Sequence, residues 1–164
     1  MTELERLPLE RLAADFIGGF EGHGFEAVCT PDVHYEDPIA VDPLTGPDAL
    51  RRHAVTLRTA VPDLSVERAS SALGDGRNAC IPWRMTGHHS GELDALPATG
   101  RRLSLHGLHY LELSDGSVRR ARGFFDLYDA ASQLGLLPAR GGLGETALLL
   151  LRGLGVRRGS SSTG

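Results

Sequence analysis

Apolar positions recur at helical spacing in the first third of the chain and at alternate positions through the middle. In "PLERLAADFIGGF", residues 8–20, Leu9, Leu12, Ala13, Phe16 and Ile17 share one helical face, which predicts a helix with proline at its start. Gly18, Gly19, Gly22 and Gly24 then loosen the chain. "VHYED", 33–37, reads as a short strand or extended turn closed by Pro38. Pro47 suits the first turn of a second helix, whose stripe is Leu50, Ala54 and Leu57 and which Pro62 ends.

Beyond Pro62 the period falls from 3.6 to 2. "LSVERASSAL", 64–73, predicts a strand, and "GDG" a tight turn. "NACIPWRMTG", 78–87, predicts the next, with Ala79, Ile81, Trp83 and Met85 on one side. "RRLSLHGLHYLEL", 101–113, puts Leu103, Leu105, His109, Leu111 and Leu113 on one face. After the "SDG" turn comes "SVRRARGFFD", 117–126, and then a short helix over 126–138 stopped by Pro138. Helices followed by an antiparallel meander and a last helix define an α+β fold, with helices on one face of a curved sheet. Residues 139–164 break the pattern. "ETALLLLRGLG" suits a short docking helix, and "VRRGSSSTG" a disordered tail.

The 164 residues suffice for one domain with a core. A net charge of −4 gives no electrostatic case for nucleic acid or an anionic membrane. All 17 basic residues are arginine, which excludes Schiff-base chemistry, a lysine base and a P-loop lysine. No apolar run reaches the length of a membrane span and no signal-peptide core is visible, so the expected location is cytoplasmic. Cys29 and Cys80 are too few for a disulfide framework, and Cys80 sits among core-like neighbours as a buried structural thiol.

The histidine pair in "TGHHSGEL", 86–93, raises the question of a metal. Adjacent strand residues point to opposite faces, so His88 and His89 do not share an ion, nor do His106 and His109 on a regular strand. No HxH, HExxH or CxxC spacing occurs, and no metal is expected. Acid–base chemistry is left. His109, on an apolar face, is either a general base perturbed by burial or a core histidine bonded to a neighbour. Asp126, before a helix, is either an N-cap or an acid/base group. Asp37 is a turn aspartate or a pocket carboxylate, and Tyr35 and Trp83 are core or cavity wall.

The stretch "WRMTGHHSGELDALPATGRRLSLHGLHYLELSDGSV" resembles the SnoaL-like polyketide cyclase (ester cyclase-like) family. The resemblance rests on Trp83, Gly87, His89 and Gly91; on Leu96, Pro97, Thr99 and Gly100; on Gly107; on Asp115 and Gly116; and on "FFDLYDAASQLGLLP". "VHYEDP" and "LTGPDALRRH" fit the family's first half, and the match spans roughly residues 8–138. It implies a nuclear transport factor 2-like α+β cone over 1–138 with one deep apolar pocket, a C-terminal extension over 139–164, and a homodimer. It also implies intramolecular aldol chemistry on a hydrophobic, polyketide-like small molecule without metal or cofactor, by a carboxylate assisted by a histidine.

Carried over residue by residue, the family histidine falls on His109, while Gly123 stands where the usual aspartate would be. Members that end this strand with two aromatics and an aspartate match Phe124, Phe125 and Asp126. The resemblance thus implies a cofactor-independent cyclase or isomerase, with His109 and Asp126 as acid/base candidates. Tyr35, Asp37, Trp83, His89 and Phe125 become substrate-binding candidates, and His89 orients a ligand or pins a turn. Two other functions fit the same cone. One is a non-catalytic binding or chaperone-like dimer. The other is an epoxide hydrolase with a carboxylate–arginine–carboxylate set drawn from Asp37, Arg122 and Asp126.

Overall fold

Alternation of side chains along three long strands builds the wall of the fold. β5 (Asn78–His88), β6 (Arg102–Ser114) and β7 (Ser117–Phe125) pair antiparallel in that order. They turn Ala79, Ile81, Trp83, Leu103, Leu105, His109, Leu111, Val118 and Ala121 inward. The structure is a computed structural model and describes residues 3–93, 96–138, 141–144 and 146–147. The sheet continues beyond β7 with β1 (Cys29–Glu36), parallel to it, and β2 (Leu44–Thr45). On the other side β3 (Ser65–Arg68) and β4 (Leu73–Gly74) both pair with β5.

Helix α1 (Glu3–Gly18) and helix α2 (Pro47–Ala60) cover the concave face, burying Phe16, Ile17, Leu50 and Ala54 there. A π-helical turn, Gly19–His23, ends α1. It brings Phe20 against Phe16 and Phe25, the three rings meeting edge to face at 5.2–5.9 Å, a favoured aromatic geometry. Helix α3 (Leu127–Gln133) closes the open end, tied to β6 by Gln133, whose side chain bonds both the N–H and the C=O of Ser104.

The architecture is the α+β cone expected, with differences of local cause. Pro8 lies inside α1 instead of opening it. The strand expected over 64–73 is two pieces. Ala69 N–H donates to the Pro82 carbonyl, but Pro82 has no N–H to return, and the ladder breaks there. β1 starts four residues before the expected 33, paired with β7 rather than standing as a turn. The last helix ends at Gln133, well before Pro138. The C-terminal helix and tail expected over 145–164 lie, apart from Thr146 and Ala147, outside the described residues.

Candidate active site

β1 ends where its last side chains face β6 across β7. Register places Tyr35 opposite Ala121 and His109 opposite Gly123. Gly123 has no side chain, and a Cβ there would lie 2.9 Å from the Tyr35 hydroxyl, 3.1 Å from Asp37 Cβ and 3.3 Å from His109 Nε2. The space that glycine leaves is filled by three polar groups from two other elements.

Their hydrogen bonds form a chain. The Tyr35 hydroxyl donates to Asp37 Oδ2 at 3.0 Å, and its oxygen lies 3.2 Å from His109 Nε2. Since the single phenol proton is used on the carboxylate, the imidazole N–H is assigned to Nε2, donating to the phenol oxygen. Asp37 takes three further bonds, from His53 Nε2–H on α2 at 2.7 Å and from the backbone N–H groups of Ile39 and Ala40 at 2.8 and 2.7 Å. Its four acceptor positions are therefore filled, while its side chain is 3% exposed.

Burial alone would raise the Asp37 pKa. The hydrogen bond and charge of His53, with the Ala40 and Ile39 N–H groups, outweigh burial and hold the carboxyl below its usual range. Burial, then the neighbouring Asp37 charge and hydrogen bond, keep the Tyr35 phenol protonated by pushing its pKa well up. Burial drops His109 from 6.5 to about 3 against the opposing pull of Asp37, so the imidazole is neutral. Its Nδ1 is buried and without a partner, as is the indole Nε1 of Trp83, whose ring centroid lies 5.6 Å away. Phe20 stacks on the imidazole at 5.1 Å. A free lone pair and a free N–H donor thus belong to two neighbouring rings.

His109 and Trp83 line a small chamber of about 40 Å³ with Tyr35, Asp37 and Phe125. A second lobe of about 140 Å³, lined by apolar side chains and His89, lies toward α3. The two share Ile39, Leu57, Leu64, Met85 and Phe125 as a common waist. His89 borders the outer lobe, 1% exposed. Its neighbour His88 faces the other way, exposed and bonded to Asp63 at 2.7 Å. The histidine pair is thereby split across the sheet.

Asp126 is not brought to His109. It is the exposed N-cap of α3, accepting the Asp129 N–H at 3.0 Å, three residues past the position that faces His109. Arg122 points outward and bonds Glu36 at 2.6 Å, so the carboxylate–arginine–carboxylate set with Asp37 and Asp126 is not assembled. Cys80 is half-buried rather than buried. Cys29 is the buried thiol, its pKa pushed up to about 12 chiefly by burial, which leaves it protonated. His53 is the site residue that sequence reasoning missed. Its signals were its place three residues after Leu50 on the helical stripe and at the end of "LTGPDALRRH". Among the described residues no three His, Cys, Asp or Glu side chains converge as a metal-ligand group, and no helix is long and apolar enough to cross a membrane.

A curved sheet around two helices, with an apolar cavity beside a buried polar cluster, is the ketosteroid isomerase-like fold. Two of the solved structures similar to the chain illustrate it. They are a protein of that fold from Catenulispora acidiphila (TM-score 0.63, 13% identity, 76% of this chain and 92% of that one) and TsrD from Streptomyces laurentii (TM-score 0.71, 26% identity, 82% and 100%). The chain belongs to the SnoaL-like polyketide cyclase family, whose model matches residues 9–134. It is also 33% identical over 97 residues to the aklanonic acid methyl ester cyclase DauD of a Streptomyces strain, a match spanning 56% of this chain and 57% of that relative.

Proposed function

We propose that this protein closes a ring in a hydrophobic polyketide-like ester by intramolecular aldol addition, with His109 as the base. The observation that carries the reading is the unpartnered Nδ1 of His109, a residue that lines the inner chamber, its other nitrogen tied through Tyr35 to Asp37. His109 and Asp37 are both weak bases, so geometry decides between them. The carboxylate has four donors on it, whereas the imidazole lone pair has none. A base this weak suits a carbon acid flanked by two carbonyls, whose proton is readily lost.

In the proposed reaction His109 Nδ1 takes that proton, and the electron pair passes into an enolate whose oxygen accepts the Trp83 Nε1–H. The enolate carbon attacks a second carbonyl of the same molecule, forming the C–C bond. The new alkoxide takes the proton back from His109. No co-reactant is consumed, and the product is an isomer of the substrate. Asp37, relayed through Tyr35, stabilises the transient imidazolium, and the dry chamber strengthens that interaction. The apolar waist holds the reacting ends together. Asp37, just past the end of β1 and packed at Gly123, takes on the carboxylate's part, and Asp126 caps α3.

The test is incubation of the protein with aklanonic acid methyl ester and with shorter poly-β-keto methyl esters. A cyclised product of unchanged mass is expected. Absence of any isomer from every such ester, with binding retained, would favour a carrier instead. The same reading includes a homodimer through the outer sheet face. There Pro82, Leu108 and Phe124 are cross-strand neighbours, and the last two are 37% and 46% exposed.

A further inference from the structure

The polyketide reading leaves the outer lobe without a task, although it is the larger of the two spaces. Its walls come from β5, β6, α2 and α3, and His89 is the single polar side chain among the described residues that line it. Two observations fix the state of that histidine. The Thr99 backbone N–H donates to Nδ1 at 3.2 Å, with the Thr99 hydroxyl 3.1 Å from the same atom. An Nδ1 that accepts a backbone N–H carries no proton, so the ring proton sits on Nε2. Nε2 is buried and has no partner.

A buried donor left without an acceptor is costly to keep, and native structures hold few of them. Turn-pinning alone needs only an acceptor toward Thr99, which an asparagine would supply. The histidine adds a second polar atom on the far side of its ring from Thr99, buried and unpartnered, in a residue that lines a lobe otherwise made of leucine, alanine, isoleucine, valine, methionine and phenylalanine.

We infer that His89 Nε2–H is a specificity donor that takes a carbonyl or ester oxygen of the substrate in the outer lobe, at the opposite end from the reacting carbons. The inference rests on the polyketide reading for its ligand class and adds a second polar anchor to it. The substrate is then a planar apolar body with an acceptor oxygen at each end, one in the His109 chamber and one on His89. Hydrocarbon bodies without the distal oxygen leave the donor unsatisfied and are discriminated against. His89 is a positioning residue, since it does not touch the reacting atoms.

A matched pair of one-ring probes tests this without turnover, because a cavity of about 150 Å³ takes a benzene ring. The quantity is the affinity ratio of acetophenone to ethylbenzene, measured by calorimetry on wild type, His89→Asn and His89→Gln. His89→Asn keeps an acceptor toward Thr99 but removes the distal donor, and His89→Gln returns a donor near Nε2. The ratio is expected to fall about five-fold in His89→Asn, the worth of one net hydrogen bond, and to recover in His89→Gln. In wild type the His89 ring N–H resonance is expected to move downfield with acetophenone only. An unchanged ratio in folded His89→Asn, or a ring N–H blind to acetophenone, overturns the assignment. Loss of cyclisation activity with the carbonyl preference intact would instead count against the aldol reading, so the two failures are distinguishable.

Discussion

At the scale of single residues, the site is a matter of which lone pairs and protons are free. His109 is neutral because it is buried, and this has a consequence for stability. Its proton affinity is lower in the folded protein, about 3 against 6.5. Between these values the unfolded chain binds the proton and the native one does not, so stability rises with pH across that window at up to roughly 1.4 kcal/mol per unit. Asp37 acts lower down. Its contribution is complete above the ordinary carboxylate range and is lost as pH falls through its depressed value. Urea unfolding from pH 7 to 4 is expected to show an acid slope in wild type that is strongly reduced in His109→Phe. Equal slopes would mean that His109 is not buried neutral.

Asp126 gives a contrasting expectation. Asp126→Ala should cost about 1 kcal/mol, the usual worth of an N-cap, and leave the rate per folded molecule unchanged. A rate loss beyond three-fold would return Asp126 to the chemistry. His109, Tyr35, Asp37 and Trp83 were open to reading as candidates from strand parity and turn chemistry, whereas His89 and Phe125 entered through the family resemblance. What parity cannot say is which polar groups meet. The link from Asp37 to His109 runs through Tyr35 and joins positions 72 apart along the chain, and His53 joins from another element altogether.

At the scale of elements, the three long strands and α2 were legible because each carries a clean period. The split of the 64–73 strand was not, since its cause, Pro82, lies on the partner strand. The parallel pairing of β1 with β7 was also out of reach, because a short polar segment carries no sign of its neighbour. Glycine places the indole. A Cβ at Gly107 would lie 2.3 Å from the Trp83 ring and 2.4 Å from the Phe124 carbonyl, so the strand must stay bare there for Trp83 to lie across it. Gly107→Ala is expected to destabilise by about 1–3 kcal/mol, the common cost of overpacking, and to push Trp83 off the chamber. Trp83 is the one tryptophan of the chain, so its emission should shift to the red. An unshifted spectrum with unchanged melting temperature would contradict the close packing described.

At the scale of the whole molecule, the fold is a container with dry walls and few polar groups, arranged at two ends. In the proposed reaction the apolar body of the cavity supplies affinity and excludes water, and the acid–base end supplies the chemistry. The outer face adds the proposed dimer. Light scattering at micromolar concentration should give twice the chain mass, and Leu108→Glu with Phe124→Glu should give the monomer. A wild-type monomer would remove that element without touching the chamber. The central claim is that His109, supported by Asp37 through Tyr35, moves the proton in ring closure. The most direct measurement is the single-turnover rate of aklanonic acid methyl ester cyclisation by wild type, His109→Gln and Asp37→Asn, each first shown to be folded. The account predicts a loss of about 100-fold or more in His109→Gln, the scale of general acid–base catalysis, with a clear but smaller loss in Asp37→Asn. Cyclisation at the wild-type rate in both variants would contradict it.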